Sequence, residues 1–267
     1  MIIKEISCKS LLNKSGISDY CINPYTGCQH ACAYCYARFM KKYTNHQEAW
    51  GSFVDVKTNA VEVLKKELVR KKRGEVMLSS VTDAYQPLEK KYELTRNILK
   101  ELLNYQFPIS ILTKSALVLR DIDIIKKFDD IKVEFTIPYL DEKARMAFEP
   151  GASSINERLQ ALKELKQEGI KTGVFFGPIM PILSEKGMEH LFDRFAELEV
   201  ALIYVDRLNI KCGNWPSIEN VLRKDYPELI KDYNEILFGE NREYYEILKK
   251  RIIKLLKERH LNFKIIY

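Results

Sequence analysis

The sequence lacks the long apolar segments that would tie a protein to a membrane. It contains no run of about 18 apolar residues, so it predicts no transmembrane helix. The opening residues, MIIKEISCKSLLNKSG, lack the apolar stretch and the small-residue cleavage site of a signal peptide. We therefore expect a cytoplasmic protein with reduced cysteines. Six such cysteines indicate metal or redox chemistry more than disulfide bonds.

Internal repeats and low-complexity segments are absent as well, and the composition is ordinary. The 267 residues, 46% hydrophobic and 30% charged, suffice for one large domain or two small ones. Much of the net charge of +6 lies in two basic runs, 65–73 and 249–260. Each run is either the solvated face of a helix or a surface that attracts phosphate groups, and charge alone does not choose between the two.

What the sequence does contain is an alternation of helical patterns with short apolar runs. Repeated β–α units predict a parallel sheet, and runs such as VMLSSV and VALIYV are apolar on both faces, as helix-covered strands are. Six such units predict an α/β fold, a partial (β/α)6 barrel over residues 1–215. Residues 216–267 are predicted to form a helical C-terminal extension packed on this core. The predicted strands are 20–27, 75–81, 107–113, 131–137, 171–177 and 200–208.

Functional groups of such a fold gather at the C-terminal ends of its strands. The cysteine loop at 24–40 follows the first predicted strand. Thr82 and Asp83 follow the second strand, and Lys114 follows the third. These residues are therefore expected at one edge of the sheet.

Three of the six cysteines lie close together, in the loop NPYTGCQHACAYCYARFM. Cys28, Cys32 and Cys35 have the spacing C-x3-C-x2-C. Three thiolates this close can ligate three metals of one small polynuclear centre, such as an iron–sulfur cluster. With no fourth ligand nearby, one iron would remain open to a substrate or cofactor.

Other interpretations of the cysteines stay open at this point. His30 would complete a Cys3His zinc site in a non-enzymatic module. Cys32 and Cys35 alone form a C-x-x-C pair, which is typical of a redox dithiol. A further interpretation is that the cysteines only fill the core. Cys8 and Cys21 precede the loop without ligand-like spacing.

The cysteine motif, with an aromatic residue before its third cysteine, resembles that of the radical S-adenosylmethionine (SAM) superfamily. The wider phrase NPYTGCQHACAYCYAR resembles the spore photoproduct lyase-related branch. Four later segments resemble that branch in the same order, so the likeness spans about residues 8 to 235. They are VTDAYQPLEKKYELTR, TKSALVLRDIDII, FEPGASSINERLQALKEL and GVFFGPIMPILSE.

The resemblance implies a radical SAM partial barrel with two cofactors, a [4Fe–4S] cluster on Cys28, Cys32 and Cys35, and SAM. It implies reductive cleavage of SAM to a 5′-deoxyadenosyl radical, which abstracts hydrogen from a substrate. It also implies a partner that delivers electrons, such as flavodoxin or ferredoxin.

Carried over residue by residue, the resemblance assigns roles around SAM. Tyr34 would pack near the adenine, or would only anchor the loop. Thr82 and Asp83 would meet the amino group, because a carboxylate suits an ammonium donor. Lys114 would meet the carboxylate of SAM, and Thr136 would reach the ribose hydroxyls.

The sequence departs from the lyase at one position that matters for its reaction. The lyase has a cysteine that returns hydrogen to the substrate radical, and the corresponding position here is Ser80. Cys212, after the sixth predicted strand, is the candidate donor in its place. We therefore expect no efficient repair of the thymine photoproduct. The substrate remains open between a nucleic acid or nucleotide and a peptide, protein side chain or small metabolite.

Overall fold

The structure is a computed structural model that describes residues 1–239, 241 and 243–267. Eleven strands lie in these ranges, numbered in chain order. They are β1 (Ile2–Ile6), β2 (Asn13–Lys14), β3 (Tyr20–Ile22), β4 (Tyr25–Thr26), β5 (Phe53–Lys57), β6 (Val76–Leu78), β7 (Ile109–Thr113), β8 (Ile131–Thr136), β9 (Lys171–Ile179), β10 (Leu202–Arg207) and β11 (Phe263–Ile265).

The main sheet confirms the predicted partial barrel. Its strand order is β2-β3-β6-β7-β8-β9-β10-β11. From β3 to β10, all neighbours pair in parallel, and these six strands are the six predicted from the sequence. Strands such as β8 are buried along nearly their whole length, because helices cover the sheet.

Helices connect the strands of the main sheet, as the alternating pattern predicts. One or two α-helices lie between each pair of consecutive strands from β5 to β10, and three more follow β10. Within the described part of the chain, no helix is long and apolar enough to cross a membrane. The helices are α1 (Ala60–Leu68), α2 (Glu89–Tyr92), α3 (Leu94–Leu103), α4 (Ile122–Ile125), α5 (Glu142–Phe148), α6 (Ile155–Gln167), α7 (Met188–Glu197), α8 (Trp215–Asp225), α9 (Ile230–Leu237) and α10 (Tyr244–Glu258).

A second, small sheet was not predicted, and it holds the start of the cysteine loop. Its strand order is β1-β5-β4. The single strand predicted at 20–27 is in fact divided: β3 joins the main sheet and β4 joins the small one. The break falls at Pro24, which has no N–H to continue a ladder. Gly27 follows β4 with φ +89°, and a Cβ there would lie 2.4 Å from the carbonyl oxygen of Phe53. Only glycine fits this position.

The C-terminal extension is more closely joined to the core than its predicted helical character suggests. Helices α8, α9 and α10 confirm that character, but the chain then forms β11, which the sequence pattern did not predict. Strand β11 pairs in parallel with β10, from Ile203 opposite Phe263 to Val205 opposite Ile265. The extension therefore contributes a strand to the main sheet.

An ion pair between fully buried side chains ties the end of β8 to the following helices. Arg158 on α6 approaches Glu149 with 2.5 Å between Nη2 and Oε2. The same guanidinium donates to the backbone carbonyls of Thr136 (2.8 Å) and Ser153 (2.9 Å). Burial by itself disfavours the charged form of Glu149, but Arg158 and Lys114 hold the pKa of that carboxyl below its ordinary value. The carboxylate is therefore stabilising only while its partners are present.

We expect Arg158→Met to cost about 3–5 kcal/mol in unfolding free energy, because it leaves a buried carboxylate without its partner. The matched double variant Arg158→Met/Glu149→Leu should recover most of that loss. Urea denaturation of the apo-protein measures both. The contribution of Glu149 in the wild type is present above the pKa of an unfolded glutamate and is lost as the pH falls through the depressed folded pKa. A single variant as stable as the wild type would contradict this account.

Candidate active site

The segments that follow β4, β6 and β7 lie together at one edge of the main sheet, although β4 itself belongs to the small sheet. The cysteine loop follows β4, and Thr82 and Asp83 follow β6. Lys114 directly follows β7, and Thr136 ends β8. Direct contacts join the first three of these segments, so the predicted residues of these three lie close together.

The three motif cysteines are free thiols in a shielded position. Cys28 and Cys32 are 7% and 6% exposed, whereas Cys35 is partly exposed. Burial raises the pKa of Cys28, and the neighbouring Asp83 and Cys32 raise it further. Burial also raises the pKa of Cys32 to about 12. Thiols in such surroundings become thiolates only when a cationic centre binds them.

The surroundings of Cys35 fit a charged sulfur. The indole N–H of Trp50 is buried and has no hydrogen-bond partner among the described residues. Burial raises the pKa of Cys35. The Ala37 N–H, the charges of Lys114 and Arg38 and, to a smaller extent, this indole N–H act in the opposite direction. A donor without a partner beside a sulfur is what a metal-bound thiolate needs, so these residues fit an iron–sulfur cluster.

His30, the fourth ligand of the alternative zinc site, faces Asp83 with one of its ring nitrogens. Its ring is 1% exposed, and its Nδ1 lies 3.3 Å from Oδ2 of Asp83. Among the described residues, no three His, Cys, Asp or Glu side chains are arranged to hold a single metal ion. A polynuclear cluster does not require three ligands around one ion, because each thiolate binds a different iron.

Asp83 links the cysteine loop to two strand ends. Its Oδ1 accepts hydrogen bonds from the Tyr85 N–H and the Thr113 hydroxyl, both at 2.8 Å. Its Oδ2 accepts from the Lys114 N–H at 2.9 Å and faces His30. Burial opposes ionisation of Asp83, but His30 and Lys114 lower its pKa far below the ordinary value. Its expected contact with the amino group of SAM stays a prediction, while its bonds within the protein are direct.

Thr82 also binds the cysteine loop. Its hydroxyl donates to the carbonyl of Gly27 at 2.6 Å and accepts from the side-chain amide of Gln86 at 3.1 Å. Gln86 in turn accepts from the N–H of Gln29, inside the loop, at 2.9 Å. Thr82 and Asp83, the two predicted site residues after β6, therefore both hold the cysteine loop in place.

Lys114 brings a positive charge beside the cysteines. Its Nζ lies 5.9 Å from the centroid of the Tyr34 ring. Burial opposes the charged form, but the Cys32 sulfur and the Glu149 carboxylate outweigh it and the pKa of Lys114 is raised. A cation held in this position suits the carboxylate of SAM, the group expected from the sequence.

Tyr34 anchors the loop, which is one of the two roles expected for it. Its hydroxyl donates to Glu149, and the side chain is 7% exposed. Thr136 is 2% exposed, and its carbonyl accepts from Arg158. Packing of Tyr34 against an adenine, and contact of Thr136 with a ribose, remain predictions.

A thiol that the sequence analysis did not select, that of Cys21, lies beside Ser80. The Cys21 thiol donates to the Ser80 hydroxyl at 3.0 Å, and the Asn23 amide donates to the Cys21 sulfur at 3.3 Å. Tyr36 closes this group, because its hydroxyl donates to the Ser80 carbonyl. Cys21 could have been found only from the parallel pairing of β3 with β6, which brings the ends of these two strands together. Cys212, the candidate donor from the sequence, is exposed and has φ +56°.

The backbone of the turn after α5 packs directly on the cysteine loop. A Cβ added to Gly151 would lie 2.1 Å from the carbonyl oxygen of Gln29. The Gly151 N–H donates to the carbonyl of His30 at 3.2 Å, and the Ala33 N–H donates to that of Phe148 at 2.9 Å. The loop therefore has no room for a side chain at Gly151.

Comparisons with known proteins show the family and the fold of this chain. Residues 22–195 match the family model of the radical SAM superfamily. An uncharacterized protein of Methanocaldococcus jannaschii is 40% identical over 228 residues, 85% of this chain and 84% of the relative. The radical SAM Nα-GlyT isomerase of Pseudomonas phage M6 is 24% identical over 222 residues, 82% of this chain and 45% of that protein. Spore photoproduct lyase complexed with dinucleoside spore photoproduct has a TM-score of 0.74 at 17% identity, covering 99% of this chain and 82% of that one. The last likeness is one of fold.

We expect Gly151→Ala to displace the turn from the cysteine loop, because its methyl group would overlap the Gln29 carbonyl. Overpacking of this kind costs about 1–3 kcal/mol. The variant should be less stable and should bind less iron after anaerobic reconstitution. Gly16→Ala is the matched control, since nothing lies within 4 Å of a Cβ built there. Iron content and thermal unfolding equal to the wild type in Gly151→Ala would show that the contact is unimportant.

Proposed function

Because this chain belongs to the radical SAM superfamily, whose enzymes use a [4Fe–4S] cluster and SAM, we propose that Cys28, Cys32 and Cys35 ligate that cluster. The observation that carries the proposal is the set of three shielded thiols beside Lys114 and the unpartnered Trp50 N–H. Bound there, the cluster would supply the electron that cleaves SAM to a 5′-deoxyadenosyl radical for hydrogen abstraction.

The residues of the chain would bind and orient SAM beside the cluster. Lys114 would receive the carboxylate, for which its retained positive charge supports the assignment. Thr82 and Asp83 would position the amino group, with Asp83 also fixing the loop. Tyr34 and Thr136, at the same edge, would contact the adenosine. The substrate would lie at the mouth of the barrel, where water is excluded when the site is filled.

Anaerobically reconstituted protein should carry about four irons per chain. Cys28→Ala, Cys32→Ala and Cys35→Ala should each abolish the cluster, because each removes one of the three ligands. Cys8→Ala and Cys21→Ala are matched controls that change a cysteine outside the motif and should retain it. Iron and sulfide analysis with visible absorption measures the outcome. Stoichiometric zinc without cluster absorption in the wild type would refute the proposal.

A second candidate for the substrate is a modified thymine nucleotide, in nucleic-acid repair or modification. The phage relative is named an Nα-GlyT isomerase, and the lyase of similar fold binds a dinucleoside photoproduct. The observation in this chain that favours it is a buried thiol, Cys21, in contact with Ser80. A substrate radical would take the hydrogen atom of the Cys21 S–H bond. The Cys21 thiyl radical would then be reduced to the thiol by one electron from the reductant and one proton from water.

This second candidate predicts slow turnover of a dinucleotide photoproduct that depends on Cys21, contrary to what Ser80 alone suggests. The assay contains anaerobic enzyme, dithionite, SAM and the photoproduct, with thymine dinucleotide measured over time. Cys21→Ser should abolish turnover, because a serine O–H bond is too strong to donate a hydrogen atom readily. Cys212→Ser should retain it. If the wild type cleaves SAM but repairs no photoproduct, this substrate is excluded while the radical SAM proposal stands.

A further inference from the structure

Residues 44–52 form a segment that connects the 3-10 helix Tyr36–Tyr43 to β5 and lies against the cysteine loop. The contact is closest at Gly51, where a Cβ would lie 2.5 Å from the Cβ of Ala31. Gly51 has φ +93°, a conformation that favours glycine. The backbone of the segment is therefore packed tightly on the loop, and the preceding residue, Trp50, lies beside the cysteines.

Trp50 carries a hydrogen-bond donor that has no acceptor among the residues that the structure describes. Its indole nitrogen is fully buried, although the side chain as a whole is only half-buried. The N–H approaches Cys35, where it is one of the groups that counter the burial-raised pKa of the thiol. A buried donor without an acceptor is unfavourable, so other contacts must hold the indole in this orientation.

Those contacts converge on Phe53, the first residue of β5. The Trp50 ring meets the Phe53 ring edge to face, with 5.9 Å between the centroids and 87° between the planes. The ring of His46 stacks on Phe53, with centroids 4.0 Å apart and planes at 18°. The carbonyl of Phe53 also lies against Gly27, at the start of the cysteine loop. One residue of β5 therefore supports Trp50, His46 and the loop together.

His46 is fixed at both of its ring nitrogens. Its Nε2 lies 2.8 Å from Oδ1 of Asp55, and its Nδ1 lies 2.9 Å from Oε2 of Glu48. His46 is 3% exposed, and Asp55 is buried as well. Because an ionised carboxylate only accepts hydrogen bonds, both ring nitrogens must donate, and only the protonated imidazolium can do so. We call Asp55, His46 and Glu48 the imidazolium clamp.

The imidazolium clamp ties an irregular segment to a strand that is fixed by pairing. Asp55 belongs to β5, where it is paired with Thr26 of β4. Glu48 lies on the segment itself, midway between His46 and Trp50. The position of the charged ring over an aromatic face is favourable in its own right, through a cation–π interaction. Loss of the clamp would therefore release the residues that orient Trp50.

The orientation of Trp50 bears on electron transfer to a cluster at this site. A hydrogen bond to a cluster sulfur stabilises the reduced form more than the oxidised form, because the reduced form carries more negative charge. Groups that orient such a donor act on the cluster without touching it.

We propose that His46 is a positioning residue: the imidazolium clamp aims the Trp50 N–H at the Cys35 sulfur and so raises the reduction potential of the cluster bound there. The proposal deepens the proposed function and rests on it for the cluster, whereas the orientation of Trp50 is a property of the protein alone. A merely structural role for the clamp would lower stability without changing the potential.

The first test measures the midpoint potential of the reconstituted cluster by redox titration with EPR detection. Trp50→Phe keeps an aromatic ring against Phe53 and removes the N–H, so it should make reduction about tenfold less favourable, or about 59 mV for one electron. His46→Gln should also lower the potential, because the single nitrogen of an amide cannot bridge both carboxylates. His190→Gln, which changes an exposed histidine on α7, is the matched control and should leave the potential unchanged.

The double variant His46→Gln/Trp50→Phe decides how His46 acts. If His46 acts through Trp50, the double variant should shift the potential no further than Trp50→Phe alone, because the N–H is already absent. A shift equal to the sum of the two single shifts would mean that the charge of His46 acts directly, and this overturns the positioning role. An unchanged potential in Trp50→Phe at wild-type iron content overturns the whole proposal.

A second readout needs no cluster. The sequence has two tryptophans, so a Trp215→Phe background leaves Trp50 alone and keeps an aromatic ring against Phe238. In the apo-protein of this background, His46→Gln should move the emission to longer wavelength and increase quenching by acrylamide, because the indole is released to water. Glu48→Gln alters the partly exposed end of the clamp, should act in the same direction, and takes the place of His46→Gln if that variant does not fold.

The two readouts separate failure of this inference from failure of the proposed function. Emission and quenching equal to those of the background in the clamp variants would show that the clamp does not orient Trp50, and would overturn the inference. Absence of iron in the reconstituted wild type would count against the proposed function and would leave the fluorescence test in force.

Discussion

The buried carboxylate of Asp83 is the interaction on which the site depends. Between β4 and the helix that begins at Tyr36, the cysteine loop forms no regular structure that could fix its shape. Asp83 connects it, through His30, to the N–H of Lys114 and the hydroxyl of Thr113. A buried carboxylate is costly unless donors surround it, so these contacts and the ionised state of Asp83 require each other. The position of the cysteines follows from this mutual requirement.

A second buried carboxylate, Glu149, completes the electrostatic setting. It binds Tyr34 within the loop and Arg158 on α6, so it holds the loop at a second point. Lys114 lies near both carboxylates, and together with the Cys32 sulfur they raise the pKa of Lys114 despite its burial. Reduction of a cluster adds negative charge to a buried site, and nearby cations and N–H donors make that addition less unfavourable. With a cluster bound as proposed, the residues that fix the loop would therefore also influence how readily that cluster accepts an electron.

The sequence predicts those parts of the molecule that local pattern determines. The six parallel strands were found because short apolar runs alternate with helical patterns, and the cysteines were found by type and spacing. Strands β1 and β11 were missed because each depends on a partner far along the chain: β1 pairs with β5, and β11 with β10. The strand predicted at 20–27 was divided for the same reason, since its two halves pair in different sheets.

Cys21 shows why part of the site escaped prediction. It is 59 residues from Ser80 in the sequence, and the two side chains meet only because β3 and β6 are neighbours. When the chains are compared by position in the sequence, the residue expected to carry the thiol after the second strand is a serine, Ser80. Hydrogen-atom transfer requires only that a thiol lie close to the place that Ser80 occupies, whichever strand supplies it. Because a fold fixes where strand ends meet but not which strand supplies each group, a donor is better sought across neighbouring strands than along the chain.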